Sequence, residues 1–204
     1  MTPAAASQLS ITAPGGTVAG SPLSVTVTAR DPYGNIVTGY TGTVSFASSD
    51  TKAVLPGKYS FTAGDAGVHA FTGIVLKTTA TQSVAATDTA TASITGRAAV
   101  AVGPAAASKL ILTAPTTMRA GVSFTLTLTV EDAYCNVVLN YVGTIHFSST
   151  DSRGTLPANY TFTAADHGVH TFTGLVLRKT GYQKITITDT RQSTLVGSVI
   201  VDVI

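Results

Sequence analysis

An internal repeat of 101 residues constrains the fold of this chain more than any other feature of its sequence. When the chain is shifted by 101 residues, positions 3–7 fall on positions 104–108, and both read PAAAS. The register continues without a gap to Ile204, and 46 of the 101 paired positions are identical. Each copy of such a repeat forms one structural unit. We therefore predict two domains, residues 1–103 and 104–204, whose short junction of small residues restricts their relative movement.

Within each copy, apolar residues occupy every second position. Leu23, Val25 and Val27 alternate with serine and threonine, and the second copy repeats this pattern from Phe124 onward. Such alternation is typical of a strand with one buried face. Further runs of this kind contain Leu9, Val44, Tyr59, Phe71, Val84 and residues 94–102, and they recur in the second copy. Turn residues separate the runs, so we predict an all-β chain with about seven strands in each of two sandwiches, and no helices.

Composition and charge exclude several classes of protein. Only 11% of the residues are charged and 44% are hydrophobic, which is enough apolar material for a folded core. The 12 basic and 10 acidic residues are scattered singly, so we expect no nucleic-acid partner. No apolar stretch approaches the roughly 20 residues of a membrane-spanning helix, which predicts a soluble piece without direct membrane insertion. No signal peptide opens the chain, and Met1-Thr2 is typical of an expression start on an excised fragment.

The loop sequences resemble those of a known family. The stretch DPYGNIV at 31–37, followed by Tyr40 and by GTVSF at 42–46, is similar to bacterial immunoglobulin-like (Big-type) repeats. Such modules occur in invasin- and intimin-type adhesins and in large multi-repeat bacterial surface proteins. The stretches DAGVHAF at 65–71 and DHGVHTF at 166–172 belong to the same pattern. The resemblance implies tandem immunoglobulin-like β-sandwiches at the bacterial cell surface or in a secreted protein. Its expected partners are neighbouring repeats of the same chain and a host or environmental glycan or protein.

Eight aspartates form four pairs matched between the copies. They are Asp31, Asp50, Asp65 and Asp88 in the first copy and Asp132, Asp151, Asp166 and Asp189 in the second. They are candidates for calcium ligands at loop or inter-repeat positions, because Ca²⁺ binds several carboxylate and carbonyl oxygens. The alternative is that each aspartate caps a turn by accepting backbone N–H bonds. The turn-like contexts and the absence of a D-x-D-x-D-G loop favour capping.

Matched aromatic residues and one substitution provide the remaining site candidates. Tyr33, Tyr40, Tyr134 and Tyr141 could stack on a sugar, or they could cover the end of the sandwich with their hydroxyls bonded to backbone. The matched His69 and His170 are expected to be packed, hydrogen-bonded residues. Cys135 cannot form an intrachain disulfide and replaces Gly34 of the first copy. A left-handed backbone would be costly for cysteine, so we expect an ordinary backbone there.

No motif of an enzyme is present. The chain contains no H-E-x-x-H, no C-x-x-C, no G-x-S-x-G and no phosphate-binding glycine loop, so we predict neither catalytic residues nor a cofactor. An odd number of mostly antiparallel strands brings the chain in at one end of a sandwich and out at the other. The expected function is therefore a non-catalytic spacer segment that supports adhesion. Three alternatives stay open: a glycan- or protein-binding module, a calcium-rigidified linker, and an accessory domain of a secreted hydrolase.

Overall fold

The computed structural model describes residues 2–204, so the predicted start at Met1 lies outside the described residues. The chain divides between Gly103 and Pro104 into two compact units, called repeat 1 and repeat 2 below. The described part of repeat 1 contains eight strands: β1 (Gln8–Thr12), β2 (Gly16–Val18), β3 (Pro22–Arg30), β4 (Thr43–Ser48), β5 (Tyr59–Ser60), β6 (Val68–Val75), β7 (Ala80–Asp88) and β8 (Thr95–Gly103). Repeat 2 contains β9 (Lys109–Thr113), β10 (Thr117–Met118), β11 (Ser123–Glu131), β12 (Thr144–Ser149), β13 (Tyr160–Thr161), β14 (Val169–Val176), β15 (Gly181–Asp189) and β16 (Val196–Val203).

Each repeat is built from two sheets. In repeat 1, one sheet has the strand order β1-β3-β6 and the other has the order β2-β8-β7-β4-β5. Repeat 2 has the same two sheets, with the orders β9-β11-β14 and β10-β16-β15-β12-β13. A three-stranded and a five-stranded sheet connected in this order form an immunoglobulin-like sandwich. The predicted all-β fold of two sandwiches is confirmed.

The first strand of each sandwich changes sheets partway along its length. β1 pairs antiparallel with β3, and after Pro14 the chain continues as β2, which pairs parallel with β8. Proline has no N–H to donate, so it is suited to a break between two ladders. The sequence predicts only a turn at residues 13–16. β2 and its counterpart β10 are three and two residues long, which is too short for an alternation pattern to appear.

The core lies between the two sheets of each repeat and follows the predicted alternation. Val27 on β3 and Ala86 on β7 are fully buried, as are Leu128 and Ile187 at the equivalent positions of repeat 2. Larger aliphatic side chains thus occupy the same inward positions in repeat 2. Burial of this apolar area is the main source of stability for each sandwich, because the chain has no disulfide to supplement it.

The loop before β6 contains a single turn of 3-10 helix. It spans Ala63–Asp65, and its counterpart in repeat 2 spans Ala164–Asp166. Both occupy a stretch that the sequence predicts as a turn, and the backbone then passes through a left-handed residue, Ala66 or His167. These two turns are the helical segments of residues 2–204, and neither is long or apolar enough to cross a membrane.

Candidate functional site

Asp31 closes the loop that follows β3. Its buried carboxylate accepts backbone N–H bonds from Tyr33 at 2.9 Å, from Asn35 at 2.8 Å and from Ala4 at 3.1 Å, and also a bond from the Asn35 side chain. These bonds, above all the one from the Asn35 side chain, lower the pKa of Asp31. Asp132 makes the equivalent contacts in repeat 2. The carboxylate therefore fixes both its own turn and the chain segment that leads into the sandwich.

Asp50 ties together two loops at the opposite end of the sandwich. It lies after β4 and accepts the N–H groups of Lys52 at 3.0 Å, Lys77 at 2.6 Å and Thr78 at 3.0 Å. Burial alone would raise the pKa of Asp50, but the donated hydrogen bonds outweigh this effect and the pKa is lowered. Asp151 accepts three backbone N–H groups in the same way in repeat 2.

Asp88 pairs with a buried tyrosine. The Tyr40 hydroxyl donates to Oδ2 of Asp88, whose Oδ1 accepts the N–H groups of Ala90 and Thr91 at 2.8 and 2.9 Å. Burial, reinforced by the carboxylate, raises the pKa of Tyr40, so this hydroxyl stays protonated. A Cβ at Gly42 would lie 2.2 Å from Oδ2 of Asp88, which explains the glycine at this position. Repeat 2 reproduces the arrangement with Tyr141, Gly143 and Asp189.

Asp65 organises a cluster around the 3-10 turn. Its carboxylate accepts the N–H of Thr62 at 2.6 Å and the Tyr59 hydroxyl at 3.1 Å, and it lies 2.6 Å from Nδ1 of His69. The rings of Tyr59 and His69 stack with centroids 4.0 Å apart. The backbone bond from Thr62, followed by the bond from His69, lowers the pKa of Asp65. His69 is thus a packed, hydrogen-bonded side chain, and His170 repeats its contacts.

The structure assigns all eight aspartates to local hydrogen bonding. Each carboxylate accepts at least one backbone N–H group of its own or a neighbouring loop, and the four aspartates of each repeat occupy four separate loops. Among residues 2–204, no group of three or more histidine, cysteine, aspartate or glutamate side chains is arranged to hold a metal ion. The geometry therefore favours the capping interpretation of these residues over calcium ligation.

The four matched tyrosines do not form a shared ligand surface. Tyr40 and Tyr141 are 7% and 9% exposed. Their hydroxyls donate to carboxylates, whereas the sequence-based expectation was a backbone acceptor. Their rings are therefore unavailable for stacking on a sugar. Tyr33 is 83% exposed on the loop that Asp31 closes, whereas Tyr134 is half-buried.

The backbone at Cys135 is left-handed, so the expectation of an ordinary backbone there is wrong. Its φ is 67°, close to the 84° of Gly34. The turn is fixed by the same Asp132 and Asn136 contacts as in repeat 1, and these contacts impose the conformation on whichever residue occupies the position. The side chain is exposed, and its Sγ lies 3.2 Å from Nζ of Lys109, a contact that raises the pKa of Lys109.

Two arginines that were not among the sequence-predicted site residues are held against each other in repeat 2. Nη1 of Arg178 donates to the carbonyl oxygen of Arg153 at 2.7 Å and to Oγ1 of Thr155 at 2.9 Å. Nη2 of Arg153 donates in return to the carbonyl oxygen of Arg178 at 3.4 Å. The two residues lie 25 positions apart on different loops, so no local motif marks them. The signal that was available is the replacement of two lysines of repeat 1 by arginines.

A scan against protein-family models and a search of curated proteins find no match to this chain. Among solved structures, the Escherichia coli adhesin FdeC is similar at 21% identity and a TM-score of 0.46, over 97% of this chain and 63% of that chain. The Yersinia pseudotuberculosis adhesin InvE is similar at 19% identity and a TM-score of 0.41, over 96% of this chain and 58% of that chain. A β-glycosidase from Bacteroides vulgatus is similar at 10% identity and a TM-score of 0.43, over 96% of this chain and 25% of that chain.

These likenesses concern the fold. The chain spans less than two thirds of the length of each of the three structures. Two of the three are bacterial adhesins. The third is a glycosidase, and a fold by itself does not assign a function.

Proposed function

We propose that the chain is a non-catalytic spacer segment of a bacterial cell-surface or secreted multi-repeat protein. The observation that carries this proposal is the path of the chain through each sandwich. In repeat 1 the incoming segment is held by Asp31, where β3 ends, while the outgoing strand β8 finishes beside Ala19, just before β3 begins. The nine residues of β3 separate these two points by roughly 30 Å at about 3.3 Å per residue. Each repeat therefore adds length between its neighbours.

The chemistry of the matched residues supports a structural role. The aspartates, the buried tyrosines and the histidines that the two repeats share are engaged in holding their own loops. A segment built in this way provides length and stiffness, and the local core of each unit provides its stability. The contribution to adhesion rests on the resemblance of residues 31–46 to repeats of bacterial adhesins, and on nothing in the geometry.

Small-angle X-ray scattering of the 204-residue chain tests the proposal that the chain is a spacer. We expect an elongated particle whose maximum dimension is close to twice that of one sandwich. A variant with ten Gly/Ser residues inserted between Gly103 and Pro104 is the control, because a flexible linker of this kind broadens the distance distribution. A wild-type profile that indicates two units folded back on each other, or one as broad as that of the insertion variant, would contradict the proposal.

A second candidate function is a binding module that uses the loop after β3. The observation that favours it is the exposure of Tyr33 on a loop that is fixed at its base by Asp31. Rigid, exposed tyrosines contribute contact area at a low cost in conformational entropy. A glycan-array signal that is lost in Tyr33→Ala but kept in Tyr182→Ala, an equally exposed tyrosine of repeat 2, would establish this function. Equal loss in both variants, or no signal for the wild type, would count against it.

A further inference from the structure

Repeat 2 gathers four exposed cations at one end, and repeat 1 does not. They lie in the β10–β11, β12–β13 and β14–β15 loops and are Arg119, Arg153, Arg178 and Lys179. The equivalent positions of repeat 1 hold Val18, Lys52, Lys77 and Thr78. Repeat 2 therefore carries two more positive charges than repeat 1 at these positions, and it has guanidinium groups where repeat 1 has two ammonium groups.

Hydrogen bonds hold the three loops together. The N–H of Gly121 donates to the carbonyl oxygen of Leu177 at 2.8 Å, which places the loop of Arg119 beside that of Arg178. The Asp151 carboxylate accepts the backbone N–H groups of Arg153 at 2.9 Å and of Lys179 at 2.9 Å. The two arginines also bond to each other's carbonyl oxygens, as described above. The backbones of the three loops are thus fixed relative to one another, and the Arg153 and Arg178 side chains are held by direct hydrogen bonds.

The positive charge at this end is incompletely neutralised. Asp151 is 3% exposed, and its oxygens are occupied by backbone N–H groups. The other side-chain carboxylate here is Asp202, on β16, so the four loop cations face two side-chain carboxylates, and exposed Lys184 on β15 adds a further cation beside Thr150. At the opposite end, two cations lie near four carboxylates: Lys109 and Arg191 against Glu131, Asp132, Asp166 and Asp189. None of the four clustered cations forms an ion pair with a carboxylate within residues 2–204.

The clustered guanidinium groups retain donors for a ligand. Arg178 uses Nη1 for its contacts with Arg153 and Thr155, and its Nη2 and Nε have no acceptor among the described residues. A guanidinium group presents its N–H donors in a planar fork that matches the oxygens of a carboxylate or a sulfate. Holding two such cations side by side is unfavourable without an anion, so an anion between them relieves the repulsion.

We propose that this cationic end of repeat 2 binds an acidic polysaccharide that carries sulfate or carboxylate groups. Such a chain needs only a few ionic contacts per module, because it offers anions repeatedly along its length. Four cations are few for a duplex nucleic acid, whose binding involves about 6–10 phosphate contacts in typical proteins. Three of the four are arginines, which recognise planar or forked anions, rather than the lysine clusters and apolar anchors typical of membrane-surface binding.

Binding of heparin, used as a sulfated polysaccharide, tests the proposal by calorimetric titration at low salt. The test variant R119V/K179T introduces the side chains that repeat 1 carries at these exposed positions. The control variant K109Q/R191A also introduces repeat 1 side chains and removes the same net charge at the opposite end, about 30 Å away along β11. We expect R119V/K179T to weaken binding at least tenfold and K109Q/R191A to weaken it less than twofold.

Arg178→Lys keeps the positive charge and removes the planar arrangement of guanidinium N–H donors. We expect it to weaken heparin binding severalfold, and unsulfated dextran to show no binding to any form. No heparin binding by the wild type, or equal losses in the two double variants, would overturn the proposal. Tighter binding of duplex DNA or of anionic lipid vesicles than of heparin would also overturn it and assign the site to that partner. The scattering profile that tests the spacer is unaffected by these outcomes, so the two proposals fail independently.

Discussion

Replacing Asp132 with asparagine provides a strong test of the view that these aspartates hold the loops. The carboxylate of Asp132 accepts two N–H groups of its own turn on Oδ1, and on Oδ2 it accepts the N–H of Ala105 at 2.9 Å and Nδ2 of Asn136 at 2.8 Å. Asparagine can keep its oxygen toward only one of these two sides. Its amide group then faces two donors, and both bonds on that side are lost.

The magnitude follows from the two lost bonds. A hydrogen bond to a charged group contributes about 1.5–3 kcal/mol, and an unsatisfied buried donor costs about 1–3 kcal/mol. We therefore expect Asp132→Asn to lower the free energy of unfolding of repeat 2 by about 2–5 kcal/mol. For a domain of this size, such a loss lowers the melting temperature by roughly 10–25 °C. Differential scanning calorimetry of the full chain measures this shift, and the transition of repeat 1 should not move.

The difference in unfolding free energy between wild type and Asp132→Asn should change with pH in a defined direction. Burial alone would raise the pKa of Asp132, but bonds from Asn136 and from backbone N–H groups lower it below the ordinary value of 3.8. A carboxylate with a lowered folded-state pKa adds stability above its unfolded pKa and loses it as the pH falls through the folded value. The difference between wild type and Asp132→Asn should therefore be complete at pH 7 and shrink below about pH 4.

Asp202→Asn is the matched control for this experiment. Asp202 is half-buried in the same repeat, and its carboxylate makes no hydrogen bond within the described residues. We expect a change of less than about 0.5 kcal/mol for this substitution, as is usual away from specific contacts. A loss below 0.5 kcal/mol for Asp132→Asn, or a loss that is the same at pH 3 and pH 7, would refute the reasoning.

Three further predictions concern strain, metal and core size. Cys135→Gly should stabilise repeat 2 by about 0.5–1 kcal/mol in chemical denaturation, because it relieves a left-handed cysteine, whereas Gly34→Ala should destabilise repeat 1. Millimolar calcium and excess chelator should give the same melting curve, since each candidate carboxylate already accepts backbone donors; a rise of several degrees with calcium would restore the metal interpretation. Repeat 2 should unfold at the higher temperature, because Ile187 in place of Ala86 alone adds about 2 kcal/mol of buried methylenes. Ile187→Ala should then shift only the upper transition, and a shift of the lower one would contradict this order.

The parts of the fold that were predictable from sequence depend on local periodicity. The alternation around Val27 and Leu128 identifies inward positions, because successive side chains of a strand point to opposite faces. The short strands β2 and β10 carry no such pattern, and their pairing is with β8 and β16, more than 80 residues away in the sequence. Secondary structure of this kind is determined by tertiary contacts that a local analysis does not contain.

The candidate site was predictable in residue type but not in contacts. Aspartates beside turn residues correctly suggest capping, because short carboxylates reach the N–H groups that follow them. The bond of the Tyr40 hydroxyl to Asp88 joins residues 48 positions apart, so the expectation of a backbone acceptor was wrong. At Cys135 the cost of a left-handed cysteine predicts an ordinary backbone, but the surrounding hydrogen bonds enforce the left-handed conformation.

The parallel pairing of β2 with the last strand of repeat 1, β8, has a mechanical consequence. In repeat 1, β2 and β8 run side by side in the same direction, so tension that reaches them through the two ends of the unit, on the N-terminal side by way of β1, draws them past each other along their length. Their hydrogen bonds then share the load and must rupture together, whereas an antiparallel terminal pair pulled from one end would unzip bond by bond. Repeat 2 has the same geometry in β10 and β16. Resistance to shear under flow or traction is thus built into the way each sandwich is closed.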